Sequence, residues 1–139
     1  MQKSIFVNLP VGNVAAASAF YKALGFDRNA GFSNDRASAM VWSDTISVML
    51  LDHDFYASFT DKRIIDPKTE SGVLLCLSFD SREAVDQIHQ RAIAAGGTET
   101  RARQQQGPMY GGAFEDPDGH VWETVFLDMT AMKGSGGDA

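Results

Sequence analysis

One cysteine, Cys76, stands in the 139 residues, so no disulfide can close within the chain and no multi-cysteine zinc site can form. Basic residues are scarce as well. Lys and Arg number 12 against 18 Asp and Glu, and the resulting net charge of −6 argues against nucleic acid, whose phosphates call for a basic surface. No apolar run approaches the ~18 to 20 residues of a membrane span, and residues 1–5 lack the long apolar segment of a signal peptide. The expectation is a cytoplasmic protein with no membrane partner. What the chain does have is apolar bulk: 44% hydrophobic residues and 10% aromatics fill the core of a single domain.

The periodicity divides that bulk into a repeated order of elements. Residues 5–11 are rich in β-formers. After them Asn13 caps a helix over residues 14–24, where Val14, Ala17, Phe20, Tyr21 and Leu24 recur at helical spacing and Gly25 supplies the stop. Strands are expected near 26–32, 37–42 and 46–51. A second strand over 73–79 leads to a helix opened by Asp80 or Ser81, with Glu83 placed to complete a capping box with Asp80. That helix carries Val85, Ile88, Ala92 and Ile93 on one stripe and ends at Gly96 and Gly97. Further strands are expected near 98–103, 109–115 and 120–127. The chain therefore reads as βαβββ twice, an α+β fold.

Residues 115–123 close the second half. Pro117 presets a turn, Asp118 can form an Asx-type bond, Gly119 takes a positive φ, and a strand bearing Glu123 follows. By the two-residue period Glu123 shares a face with Val121 and Val125, opposite Trp122, Thr124 and Phe126. A carboxylate among valines calls for a partner, a metal or neutralisation.

The two βαβββ halves, the phrase Ala19-Phe20-Tyr21-Lys22-Ala23-Leu24-Gly25-Phe26, and Asp116-Pro117-Asp118-Gly119 ahead of Glu123 resemble the glyoxalase, bleomycin-resistance and extradiol-dioxygenase (vicinal oxygen chelate) superfamily. Residues 53–71, with residues 48–51 ahead of them, resemble a subgroup labelled predicted lactoylglutathione lyase. The resemblance implies two tandem βαβββ modules forming curved sheets around a cleft, within a homodimer. The single domain would span 1–128, as module one at 4–52, a connecting segment at 53–71 that serves as edge helix or flap, and module two at 72–128. A flexible tail would occupy 129–139.

In metal-dependent members, ligands come from inward positions on the first and last strands of each module. Carried over, those positions are Phe6, Met49, Leu74 and Glu123, of which Glu123 alone is a ligand for a hard divalent ion. A register slip of two on the same face offers Asn8, Ser47 or Leu51, and Cys76. The expected ligand pocket is therefore Phe6, Asn8, Met49, Leu74, Cys76, Tyr110 and Glu123, with Glu123 the candidate catalytic group and Asn8 or a bound molecule its partner. No cofactor and no metal site are expected.

The remaining polar candidates read as structural. His89 is expected on the surface, His120 opposite in parity to Glu123, His53 near a pocket mouth, and Cys76 as an inert core thiol. The run Gln104 to Gly112 reads as a turn whose glycines let backbone approach a ligand closely, while Trp42 and Trp122 read as core or interface residues. These residues point to a small-molecule-binding protein of the bleomycin-resistance kind, whose acidity suits a cationic ligand. The alternative is a glyoxalase-like lyase or isomerase using Glu123, with or without a divalent metal. Assembly or regulation without a small ligand is a third reading.

Overall fold

A computed structural model describes residues 2–130; of the expected flexible tail, residues 131–139 lie outside the described residues. The chain divides after Ser71 into two compact units, each an open, curved four-stranded sheet flanked by a helix. The first contains β1 (Ile5–Val11), α1 (Val14–Leu24), β2 (Asp27–Arg28), β3 (Ala37–Ser43) and β4 (Ile46–Asp52), in sheet order β1-β4-β3-β2. A short α2 (His53–Ala57) follows, its N-terminus held by the Asp52 carboxylate, which accepts from the Phe55 N–H. The second contains β5 (Leu75–Phe79), α3 (Arg82–Ala94), β6 (Thr98–Gln106), β7 (Met109–Glu115) and β8 (Val121–Leu127), in order β5-β8-β7-β6. The βαβββ order expected from periodicity is thus present twice.

Local chemistry explains most boundaries. The Asn13 side chain accepts from the Ala16 N–H to start α1, and Gly25, at φ 112°, ends it in the left-handed conformation that glycine adopts without strain. The buried stripe of α1 sets Tyr21 edge-on against both Phe20 and Phe26. The Ser81 hydroxyl caps α3 through the Ala84 N–H, so the expected capping box of Asp80 and Glu83 is replaced by a simple serine cap. On α3 the buried set is Val85, Ile88, His89 and Ala92, whereas Ile93 is exposed. His89 follows Val85 by one helical turn, and Ile93 falls one step past the stripe.

Other expectations need correction. Only Asp27 and Arg28 of 26–32 are strand, because the Asn29 side chain accepts from the Gly31 N–H and draws residues Ala30–Phe32 into a 3₁₀ turn. The expected strand over 73–79 begins at Leu75, leaving Leu74 ahead of it. Gln104, Gln105 and Gln106 extend β6 rather than forming a loop, and the hairpin turns at Gly107, φ 57°. In the turn before β8 it is Asp116 that closes the Asx bonds, accepting from the N–H groups of Asp118 and His120. Trp122 is core, and Trp42 packs on Phe26.

Gly111 and Gly112 lie within β7 and approach protein backbone rather than forming a loop. A Cβ at Gly111 would run into the Thr124 carbonyl oxygen, and one at Gly112 would come within 2.6 Å of the Arg101 carbonyl oxygen. Gly111→Ala is expected to lower stability by about 1–3 kcal/mol or more, as overpacking does. Urea unfolding checks this, and an unchanged midpoint would contradict the tight β7–β8 approach.

Candidate functional site

The parallel pairing of β5 with β8 sets Cys76 beside Glu123, and the antiparallel pairing of β7 with β8 sets Ala113 on the other side of Glu123. Strand β6 in turn sets Arg101 beside Ala113. One row across the sheet therefore reads Arg101, Ala113, Glu123, Cys76. Because alanine is short, the guanidinium reaches over it: Arg101 Nη2 donates to Glu123 Oε2 at 3.1 Å and to the Gly112 carbonyl at 3.4 Å. Within its own unit, Arg101 is the partner of the carboxylate that stands among valines. Both side chains are partly open to solvent, with 44% and 32% of their surface exposed. Such a pair contributes at most about 1 kcal/mol to folding.

The same face holds a depression of about 310 Å³ around this pair. Gly111, Met109, Thr124, Val125, Gln104 and Gln106 border it together with Cys76. Contrary to the expected core position, Cys76 is exposed. Desolvation and then the negative charge of Glu123 raise its pKa, with the positive charge of Arg101 opposing.

The opposite face of the sheet carries a separate polar network against α3. His89, fully buried, bridges Glu99 Oε2 at 2.7 Å from Nδ1 and Thr124 Oγ1 at 2.8 Å from Nε2. A carboxylate only accepts, so Nδ1 carries a proton. Burial, which lowers the His89 pKa, favours the neutral ring, whose Nε2 then accepts from the Thr124 hydroxyl in preference to the more distant Gly112 carbonyl at 3.4 Å. Thr124 Oγ1 in turn accepts from the Gly112 N–H at 3.1 Å. Arg103 donates to both Glu99 and Asp86, and the Tyr110 hydroxyl donates to Asp86 at 2.6 Å under the Arg82 guanidinium. The bond to Asp86 raises the Tyr110 pKa. Tyr110 thus faces α3, away from the Glu123 face.

Asn8 and Met49 are register partners on β1 and β4 of the first unit, where Phe6 shares the face of Asn8. Phe6 and Leu74 are 66% and 55% exposed. Leu74, in the same unit as the depression, does not line it. His53 is exposed at the start of α2, and His120 is buried. Sequence reasoning missed His89, Glu99, Arg101 and Arg103. Only His89 left a signal, its place on the Val85–Ala92 stripe.

Among the described residues no group of three or more His, Cys, Asp and Glu could hold a metal ion. At Glu123 the carboxylate is already paired with a guanidinium, and its strand neighbours Cys76 and Ala113 add no second carboxylate or imidazole.

Burial lowers the His89 pKa below its usual 6.5, against the opposing hydrogen bond and charge of Glu99 and the charge of Asp86, while Arg103 lowers it further. The unfolded chain then binds more protons than the native one between that lowered value and 6.5, so this stability is full above about 6.5 and is lost as pH falls below it. Urea midpoints from pH 8 to 5 are expected to fall more steeply for the wild type than for His89→Gln across this window. Equal slopes would contradict a buried neutral imidazole.

The family model described as Glyoxalase/Bleomycin resistance protein/Dioxygenase superfamily matches residues 4–124. No match was found among curated proteins. Among solved structures, a glyoxalase/bleomycin resistance protein/dioxygenase family enzyme from Burkholderia phytofirmans PsJN is 24% identical with a TM-score of 0.73, over 91% of this chain and 99% of that one. A glyoxalase-related enzyme from Fulvimarina pelagi is 20% identical with a TM-score of 0.76, over 91% and 88%. The bleomycin resistance determinant encoded on transposon Tn5 is 21% identical with a TM-score of 0.64, over 91% and 99%. At these identities the structures speak to the fold, and the family match covers most of the chain. The chain belongs to the glyoxalase/bleomycin resistance protein/dioxygenase superfamily.

Proposed function

We propose that the protein binds a small molecule on the Glu123 face of its second sheet, without a complete catalytic metal site and without a cofactor. The observation that carries this reading is the Arg101–Glu123 pair, half-open to solvent beside a depression of about 310 Å³. That volume lies at the lower end of ligand pockets, about 300–1,000 Å³. Polar groups held in a concavity, and contributing little to folding, are the usual means of orienting a ligand. The homodimer expected from the resemblance and a cytoplasmic location belong to this reading.

A second reading, a glyoxalase-like lyase or isomerase of the lactoylglutathione lyase type, is favoured by one feature. Glu123 makes its hydrogen bond through Oε2, and among the described residues Oε1 has no partner, so it is open to accept a proton from a bound substrate. Arg101 would then stabilise the negative charge left on that substrate.

Thermal unfolding in a panel of small acids, amines, zwitterions and cationic glycopeptides tests the binding reading, because a ligand selective for the native state raises the melting temperature. At least one class is expected to give a saturable rise that Glu123→Ala abolishes. A flat response across the panel would count against it. Turnover of a hemithioacetal in dialysed protein, lost in Glu123→Gln, would favour the lyase instead.

A further inference from the structure

We infer that the ligand of this depression is a small zwitterion, carrying a carboxylate and an ammonium group a bond or two apart as amino acids do. The carboxylate binds Arg101 and the ammonium binds Glu123. The inference rests on the ligand-site reading above and adds the chemical class to it.

Three observations carry it. First, each member of the pair has unused capacity on the open face. Arg101 donates only through Nη2, and among the described residues its Nε and Nη1 hydrogens have no partner. A guanidinium offers such an edge to a carboxylate in a two-point contact. Glu123 likewise accepts only at Oε2. Second, no other charged side chain lines the depression. Its two charges lie 3.1 Å apart and cancel at a distance, so a purely anionic ligand drawn to Arg101 meets Glu123, and a purely cationic one meets Arg101. A ligand with both charges gains at both. This also turns the expectation from overall acidity, a cationic ligand, into one that the local charge opposes. Third, the rest of the lining suits the remainder of such a molecule. The amides of Gln104 and Gln106 are exposed and unpartnered among the described residues, while Met109 and Val125 provide apolar wall.

Cys76, the only cysteine, lines the same depression and reports occupancy at one position. The experiment measures the rate of Cys76 alkylation by iodoacetamide in the full chain. Free α-amino acids are compared with their N-acetyl derivatives, which keep only the carboxylate, and their amides, which keep only the ammonium. A free amino acid at ten times its dissociation constant is expected to slow alkylation about tenfold by mass action, with both blocked derivatives leaving the rate nearly unchanged at that concentration. Arg101→Gln and Glu123→Gln, each checked by its melting curve, are expected to abolish the preference for the zwitterion. Equal protection by a blocked derivative, or protection by neutral or cationic compounds alone, overturns the inference and leaves the ligand-site reading standing. If no compound protects Cys76 and none raises the melting temperature, both fall.

Discussion

Strand β6 pairs with β7 through two register shifts, between Glu99 and Arg101 and between Arg101 and Gln104. The distribution of charge in the second unit depends on them. In a regular strand Glu99, Arg101 and Arg103 would all point the same way. The shifts send Glu99 and Arg103 to the α3 face, where they meet His89 and Asp86, and leave Arg101 on the other, where it meets Glu123. A β-bulge re-aims a side chain in this manner, and bulges recur beside functional sites. Each carboxylate of the two networks is thereby matched to a cation or donor.

The two faces do different work. Against α3, the chain Arg103, Glu99, His89, Thr124 and Gly112 satisfies polar groups that helix packing takes out of water, and it ties α3 to β6, β7 and β8. On the open face, the Arg101–Glu123 pair satisfies itself only in part and stays half-exposed. Glu123 is the residue that the resemblance to metal-dependent members singled out as a ligand position. In this chain Glu123 is paired with the Arg101 guanidinium.

Much of the fold was legible in the sequence, because its determinants are local. The stripe of α1 with Asn13 before it and Gly25 after it, and the alternation around Glu123, required no knowledge of neighbouring strands. The candidate site was legible only at Glu123 and Cys76. Arg101 was not, since strict alternation cannot separate it from Glu99 and Arg103, and a bulge is fixed by pairing with a partner strand. The position of Tyr110 failed for the same reason: its face depends on how β7 meets β8 and α3. His89 was misplaced because a histidine near Gln87 and Gln90 looks solvated until the acceptor that it meets when buried, Glu99, is known from another strand.

The central claim is that Glu123 is an ion-paired anchor for an organic ligand rather than a metal ligand. Titration calorimetry of exhaustively dialysed protein with Ni²⁺ and Zn²⁺, in wild type and Glu123→Gln, tests it most directly. The account predicts that both proteins give the same isotherm, with no binding that depends on Glu123. Binding of one ion per chain that Glu123→Gln abolishes would contradict it.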